Sequence, residues 1–148
     1  MFKENTPEKL RQNESTKVSR LERKTGIALS KVLQDMCPQI PLKEQHFIRA
    51  TSSSVNFFIE SCGDQGLVIQ VDGPSHFLNK GTERQCVDGF TAFQTRQLQK
   101  QGYQVLRLPY DVLETCGVYS IQNKNSPVPA KLAGYLKEQL SPHLPLAT

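Results

Sequence analysis

An apolar run that halts on a carboxylate, Leu67-Val-Ile-Gln-Val-Asp72, constrains this chain more than any other stretch of its 148 residues. Aliphatic side chains bounded by turn formers on both sides (Cys62-Gly-Asp-Gln-Gly66 before, Gly73-Pro74 after) read as a buried-type strand. A second strand, in Gly102-Tyr-Gln-Val-Leu-Arg-Leu-Pro-Tyr110, follows about thirty residues later and is closed by proline. Between them, Asp88 to Gln101 has helical character, with Asp88 as a cap and Gly102 just past the end. Strand, turn, helix and strand in that order make a βαβ-like crossover. It places Asp72 and His76 at the carboxyl end of its first strand, where α/β sheets tend to hold ligands and chemistry.

The remaining chain supplies neighbours for this unit. Val55–Ile59 is β-branched and aromatic, and a hairpin turn over residues 62–66 pairs it antiparallel with Leu67–Val71. Gln45–Ile48 is a short further strand, and Ser52-Ser-Ser54 a loop. His46 is expected to be an ordinary strand histidine rather than a ligand. From Ser15 or Thr16 a helical pattern runs through Leu21, Ala28, Leu29, Val32, Leu33 and Met36, stopping at Cys37-Pro38. Gly26 interrupts that pattern and is expected to split it. Lys17, Arg20, Arg23, Lys24 and Lys31 are assigned to its solvated face. On the helix over 88–101, Phe90, Phe93 and Leu98 give an apolar side, and Arg96 and Lys100 lie one turn apart on another. After Tyr110 comes an irregular stretch through Cys116 and Gly117. A last helix follows Pro127 and Pro129, with Leu132, Tyr135, Leu136 and Leu140 as one stripe and Ser141-Pro142 as its stop. The expected fold class is α/β, a mixed α+β sheet with an N-terminal and a C-terminal helix. Its divisions are a polar arm over 1–14, a helical segment and connector over 15–52, a domain over 53–140 and a tail over 141–148.

The formal charge of +4 favours an anionic partner only weakly. Cys37, Cys62, Cys86 and Cys116 show no CxxC pair, which argues against a zinc site, and a chain of this length needs no disulfides, so reduced thiols are expected. No apolar run approaches the ~20 residues needed to span a bilayer. The amino terminus lacks a signal-peptide core, and Glu4, Glu8, Glu14 and Glu22 are atypical of transit peptides, so such a peptide is expected to be absent or already removed.

Metal-dependent phosphodiester cleavage requires carboxylates that converge from adjacent strands on a divalent cation. Here the converging positions are Asn56, Gln70 and Asp72, and only one is a carboxylate. Glu60 sits at the far end of its strand, away from Asp72. The outline is that of a nuclease without its charges.

Val-Ile-Gln-Val-Asp-Gly-Pro-Ser-His-Phe (68–77), followed by Gly-Tyr-Gln-Val-Leu-Arg-Leu-Pro-Tyr (102–110), resembles the RAP domain, associated with RNA binding and named for its abundance in apicomplexans. The helix with Arg96 and Leu98 and the closing Leu-Lys-Glu-Gln-Leu (136–140) extend the resemblance over roughly 53–140. The same domain ends proteins of the Fas-activated serine/threonine kinase family. The resemblance implies a core similar to the very-short-patch-repair branch of restriction-endonuclease-like folds. It also implies work on organellar RNA, in some cases within organellar ribosomes. Asp72, Gly73, Pro74, His76, Gly102 and Tyr103 match the motif. Asn56 and Gln70 depart from it, standing where many relatives carry Asp and Glu, and both departures remove charge.

The expectation is therefore a non-enzymatic RNA-binding module without cofactor, metal or catalytic residues. It would act in the mitochondrion, with the plastid as alternative, as part of an organellar ribosome or RNA-processing complex. Its partners would be RNA, foremost rRNA, and other ribonucleoprotein components. Asp72, His76, Lys80, Arg84, Arg96, Lys100, Arg107 and Tyr110 are the candidate RNA-binding residues, the cations for phosphates and the aromatic ring for unpaired bases. Phe77 and Tyr103 could also stack, although a core position suits them better. Two other classes stay open: a metal-dependent endonuclease, and a protein-interaction scaffold using the C-terminal helix.

Overall fold

The computed structural model describes residues 20–73, 77–78, 86–87 and 89–144. In chain order its elements are α1 (Arg20–Met36), β1 (Lys43–Ile48), β2 (Ser53–Ile59), β3 (Leu67–Asp72), the short strands β4 (Phe77–Leu78) and β5 (Cys86–Val87), α2 (Gly89–Lys100), β6 (Gln104–Pro109), α3 (Tyr110–Thr115) and α4 (Ala130–Leu140). Single 3-10 turns occupy Arg49–Thr51 and Val118–Ser120. The sheet order is β1-β2-β3-β6. β1 and β3 run antiparallel to β2, and β6 lies parallel to β3 across the α2 crossover. The class is thus mixed α/β, a four-stranded mixed sheet with flanking helices.

β3 is buried along its whole length, and strand alternation divides it between the faces. Leu67, Ile69 and Val71 enter a large apolar cluster with α1 and α4, through Leu29, Leu33, Leu132, Leu136 and Leu140 among others. Val68 enters a smaller cluster with Ile48, Val55, Phe58 and Leu98 of α2. Within β2, Phe57 and Ile59 belong to the first cluster, Val55 and Phe58 to the second. The alternation therefore breaks at Asn56. This break lies between the Glu44–Phe57 and His46–Val55 pairs, where Gln45 adopts a φ of 50°. His46 stacks flat on Phe58 with ring centroids 4.5 Å apart, an ordinary strand histidine as expected.

Several expectations need correction. Gly26 does not split the first helix, which is continuous from Arg20 to Met36. A Cβ there would lie 2.9 Å from Cε1 of Phe57 and 2.9 Å from Oε1 of Glu44, so the glycine lets α1 approach the sheet. Lys24 is not solvated but 6% exposed, and its ammonium donates to the carbonyls of Tyr119 (3.2 Å) and Ile121. Lys31 likewise donates to the carbonyl of Ser126. Both lysines satisfy carbonyls of the irregular 119–126 segment, which a helix-period pattern cannot reveal. Ser53 and Ser54 are strand rather than loop, because they pair with Ile48 and Phe47, and the turn falls to Ser52 at φ 52°. Between β3 and α2, β4 and β5 pair antiparallel, Phe77 with Val87 and Leu78 with Cys86. The stretch after Tyr110 is ordered as α3, anchored by buried Leu113, and a 3-10 turn anchored by buried Val118.

The hairpin turn carries positive φ at Gly63 (71°) and Gly66 (119°), and Phe58 packs so close to Gly66 that a Cβ would lie 2.5 Å from its ring. Cys37, Cys62 and Cys116 are free thiols, the first two buried. Burial, and then the neighbouring Cys37, pushes the Cys62 thiol up, away from reactive thiolate.

Candidate nucleic-acid interface

β2 and β3 are paired from Ile59–Leu67 to Phe57–Ile69 and then part. Beyond that point side-chain amides take over the ladder. Gln70 Oε1 accepts the backbone N–H of Asn56 at 2.7 Å, and Asn56 Oδ1 accepts that of Val71 at 2.8 Å. Buried backbone donors need partners, and each amide carbonyl supplies one without charge. The structure thus brings Asn56 and Gln70 together as expected, and commits their amide oxygens to the backbone. Glu60 pairs instead with Lys43 at 3.2 Å.

Arg107 faces this junction from β6, its Cα aligned with that of Gln70. Its NH1 donates to Asp72 Oδ1 at 2.7 Å, and its Nε to Thr95 Oγ1 at 2.6 Å. Its NH2 donates to Gln94 Oε1 at 2.9 Å and, more weakly, to the Thr91 carbonyl at 3.3 Å. The side chains are 15% exposed for Arg107 and 3% for Asp72. A planar fork of donors can bridge a strand-end carboxylate and the inner side of a helix at once, which an ammonium cannot. Four donor contacts to the protein leave the guanidinium mostly committed to holding α2 on the sheet.

The outer side of α2 is different. Leu98 is fully buried, and Thr91, Gln94 and Thr95 lie on its side of the helix, seven, four and three residues away. Phe93, five residues from Leu98, consequently faces out and is 52% exposed. This corrects the expectation that it lies on the apolar side. Arg96 and Lys100, at three and seven residues from Phe93, share its stripe and are exposed.

The candidate residues therefore separate. Asp72 and Arg107 form an internal pair, while Arg96 and Lys100 stand on the outer face of α2. Tyr110 is half-buried at the start of α3, packed against the larger cluster. Tyr103 is core, edge-on to Phe58 at 6.0 Å. His76, Lys80 and Arg84 lie outside the described residues, as do the side chains of Phe77 and Phe90. Sequence reasoning missed Thr91, Gln94 and Thr95, although their spacing of three and four is the helix period and marks an inward polar stripe. Among the described residues, no three His, Cys, Asp or Glu side chains group as metal ligands, and no helix is long and apolar enough to cross a membrane.

Residues 69–125 match the model of the RAP domain. That stretch is a RAP domain. The matched stretch contains both members of the Asp72–Arg107 pair and all of α2, and the match is consistent with RNA as the partner. No curated protein and no solved structure matches the chain.

Proposed function

We propose that this RAP-domain protein is a non-catalytic RNA-binding module acting in organellar gene expression, on a restriction-endonuclease-like core that has lost its cation site. The observation that carries this reading is the contrast across α2. The cation facing the sheet is spent on protein partners, whereas the cations facing solvent pair with no acidic side chain among the described residues and lie within the matched domain. Phosphate neutralisation by exposed Arg and Lys is the largest sequence-independent source of affinity for nucleic acid.

The donor set supports binding without cleavage. A hydrolytic Mg²⁺ needs several oxygens and usually more than one carboxylate. Asp72 is engaged by Arg107, the oxygens of Asn56 and Gln70 accept backbone N–H groups, and a cation there would meet the guanidinium at close range. These residues do not fit a metal centre. The scaffold alternative relied on the stripe of α4, but Leu132, Leu136 and Leu140 are buried within the fold.

Placement in a mitochondrial ribosome or RNA-processing complex, with contact to rRNA, follows from the family resemblance, with the plastid as the other organelle. Crosslinking in organelle extract should give an rRNA adduct that co-sediments with ribosomal particles. Wild type and Asp72→Ala, incubated with Mg²⁺ or Mn²⁺ on structured RNA and DNA, should both leave the substrate intact. Cleavage by the wild type that vanishes in Asp72→Ala overturns the reading.

A further inference from the structure

We infer that the outer stripe of α2 is a stacking platform for single-stranded RNA, in which Phe93 takes an unpaired base while Arg96 and Lys100 hold the adjoining phosphates. This deepens the reading of the protein as an RNA binder and rests on it. A single exposed apolar residue is ordinary on a protein surface and by itself means nothing. Two further observations give this one a meaning.

The first is its company. Arg96 follows Phe93 by three residues and Lys100 by seven, so at 1.5 Å rise per residue the three side chains occupy about 10 Å of one helix face. Arg96 and Lys100 themselves are about 6 Å apart along the axis, comparable to neighbouring phosphates on an extended strand. No acidic side chain among the described residues pairs with either cation, whereas Lys43, Arg107 and Lys137 pair with Glu60, Asp72 and Asp35.

The second is the rigidity of the support. Arg107 grips Thr91, Gln94 and Thr95 from below, and Leu98 is fully buried, so the rotation of α2 about its axis is fixed by contacts on the opposite side. A ring held at constant height beside two cations suits the sequence-tolerant recognition of single strands, where aromatic side chains stack on splayed bases and basic residues follow the backbone. A duplex keeps its bases stacked on one another and offers this ring no face. The occupant is therefore a single strand, engaged over about two nucleotides.

The chain contains no tryptophan, so Phe93→Trp installs a single reporter at the platform. Its fluorescence should be quenched by a short oligouridine and unaffected by a blunt RNA duplex. In polarisation titrations with the same RNAs, Phe93→Ala and Phe93→Leu should each weaken single-strand binding about tenfold, and Phe93→Tyr should restore it. Arg96→Ala/Lys100→Ala should lower the slope of log K against log salt by about 1.4, at roughly 0.7 per phosphate on a single strand, whereas Phe93→Ala leaves that slope unchanged. Phe93 is exposed, so thermal melts of all variants should match the wild type. Wild-type affinity in Phe93→Ala, or equal losses on duplex and single strand, overturns the platform while leaving the RNA-binding reading intact. A wild-type chain with no affinity for either RNA removes both.

Discussion

On the face of the sheet covered by α1 and α4, apolar side chains from Leu21 to Leu140 fill the interior, and Lys24 is the buried cation, turned to backbone carbonyls. On the face covered by α2, Ile48, Val55, Phe58, Val68 and Leu98 form the buried apolar cluster among the described residues. Beside it lies a polar network through Asn56, Gln70, Asp72, Gln94, Thr95 and Arg107. Apolar burial is non-directional and tolerates small rotations of a helix, whereas hydrogen bonds to a planar guanidinium do not. Among the described residues, the first face supplies most of the buried apolar side chains. The second fixes which side of α2 faces outward, and with it the position of Phe93, Arg96 and Lys100.

The largest expected effect tests that division directly. Arg107→Ala leaves the Asp72 carboxylate buried without its guanidinium and should cost about 4 kcal/mol in urea unfolding. Replacing both partners, Asp72→Leu/Arg107→Met, should recover at least half of that loss, because the penalty lies in the stranded charge. A loss below about 1 kcal/mol in the single variant would show that the network does not hold α2. Leu132→Ala, on the opposite face, should cost about 3 kcal/mol through the cavity it leaves. The two should differ in their effect on RNA. The leucine variant, measured while still folded, should bind like the wild type, and the folded fraction of Arg107→Ala should bind more weakly because its platform is no longer fixed.

This contrast also explains what was legible in the sequence. The buried run at Leu67–Asp72, the hairpin glycines, the α2 crossover and the stripe of α4 are local periodic signals, and each forms where its spacing indicates. The Asp72-Gly73 part of the motif was legible too, and its family is the one matched. The polar network was not, because Arg107 and its partners come from β3, α2 and β6, and charge in sequence does not say whether a side chain ends in water or against another strand. Phe93 and Lys24 were misplaced for the same reason. Helix periodicity assigns the aromatic ring to the core and the lysine to the surface, yet the orientation of each helix is set by residues distant in sequence.

A smaller effect probes the junction where β2 leaves β3. Asn56→Ala removes the acceptor for the Val71 N–H and should cost about 1.5 kcal/mol. Asn56→Asp restores an acceptor but adds a charge near Asp72, so it should stay below wild-type stability at neutral pH and gain on it as acid protonates the new carboxyl. A second titration bears on the α4 side, where burial pulls the His143 imidazole below its ordinary 6.5, next to Gln104. Its folded-state value is depressed, so the unfolded chain takes up the proton first as pH falls. This contribution to stability is full above 6.5 and declines below it. Urea midpoints at about pH 7.5 and about pH 5.5 should show the decline, and His143→Gln should reduce it.

The smallest effect is the sharpest test of the comparison. Arg96 and Lys100 are exposed, pair with no acidic side chain among the described residues, and lie on the side of α2 away from the sheet. Replacing both with alanine should therefore change unfolding free energy by less than about 0.5 kcal/mol, since surface charges outside a network contribute little and alanine is a good helix former. The same pair should nonetheless carry much of the salt-dependent affinity for RNA. Arg107 inverts that pattern, with a large effect on stability and an effect on RNA only through the position of α2. If Arg96→Ala/Lys100→Ala melts well below the wild type, those cations are structural, and the division between an inner face that holds the helix and an outer face that uses it fails.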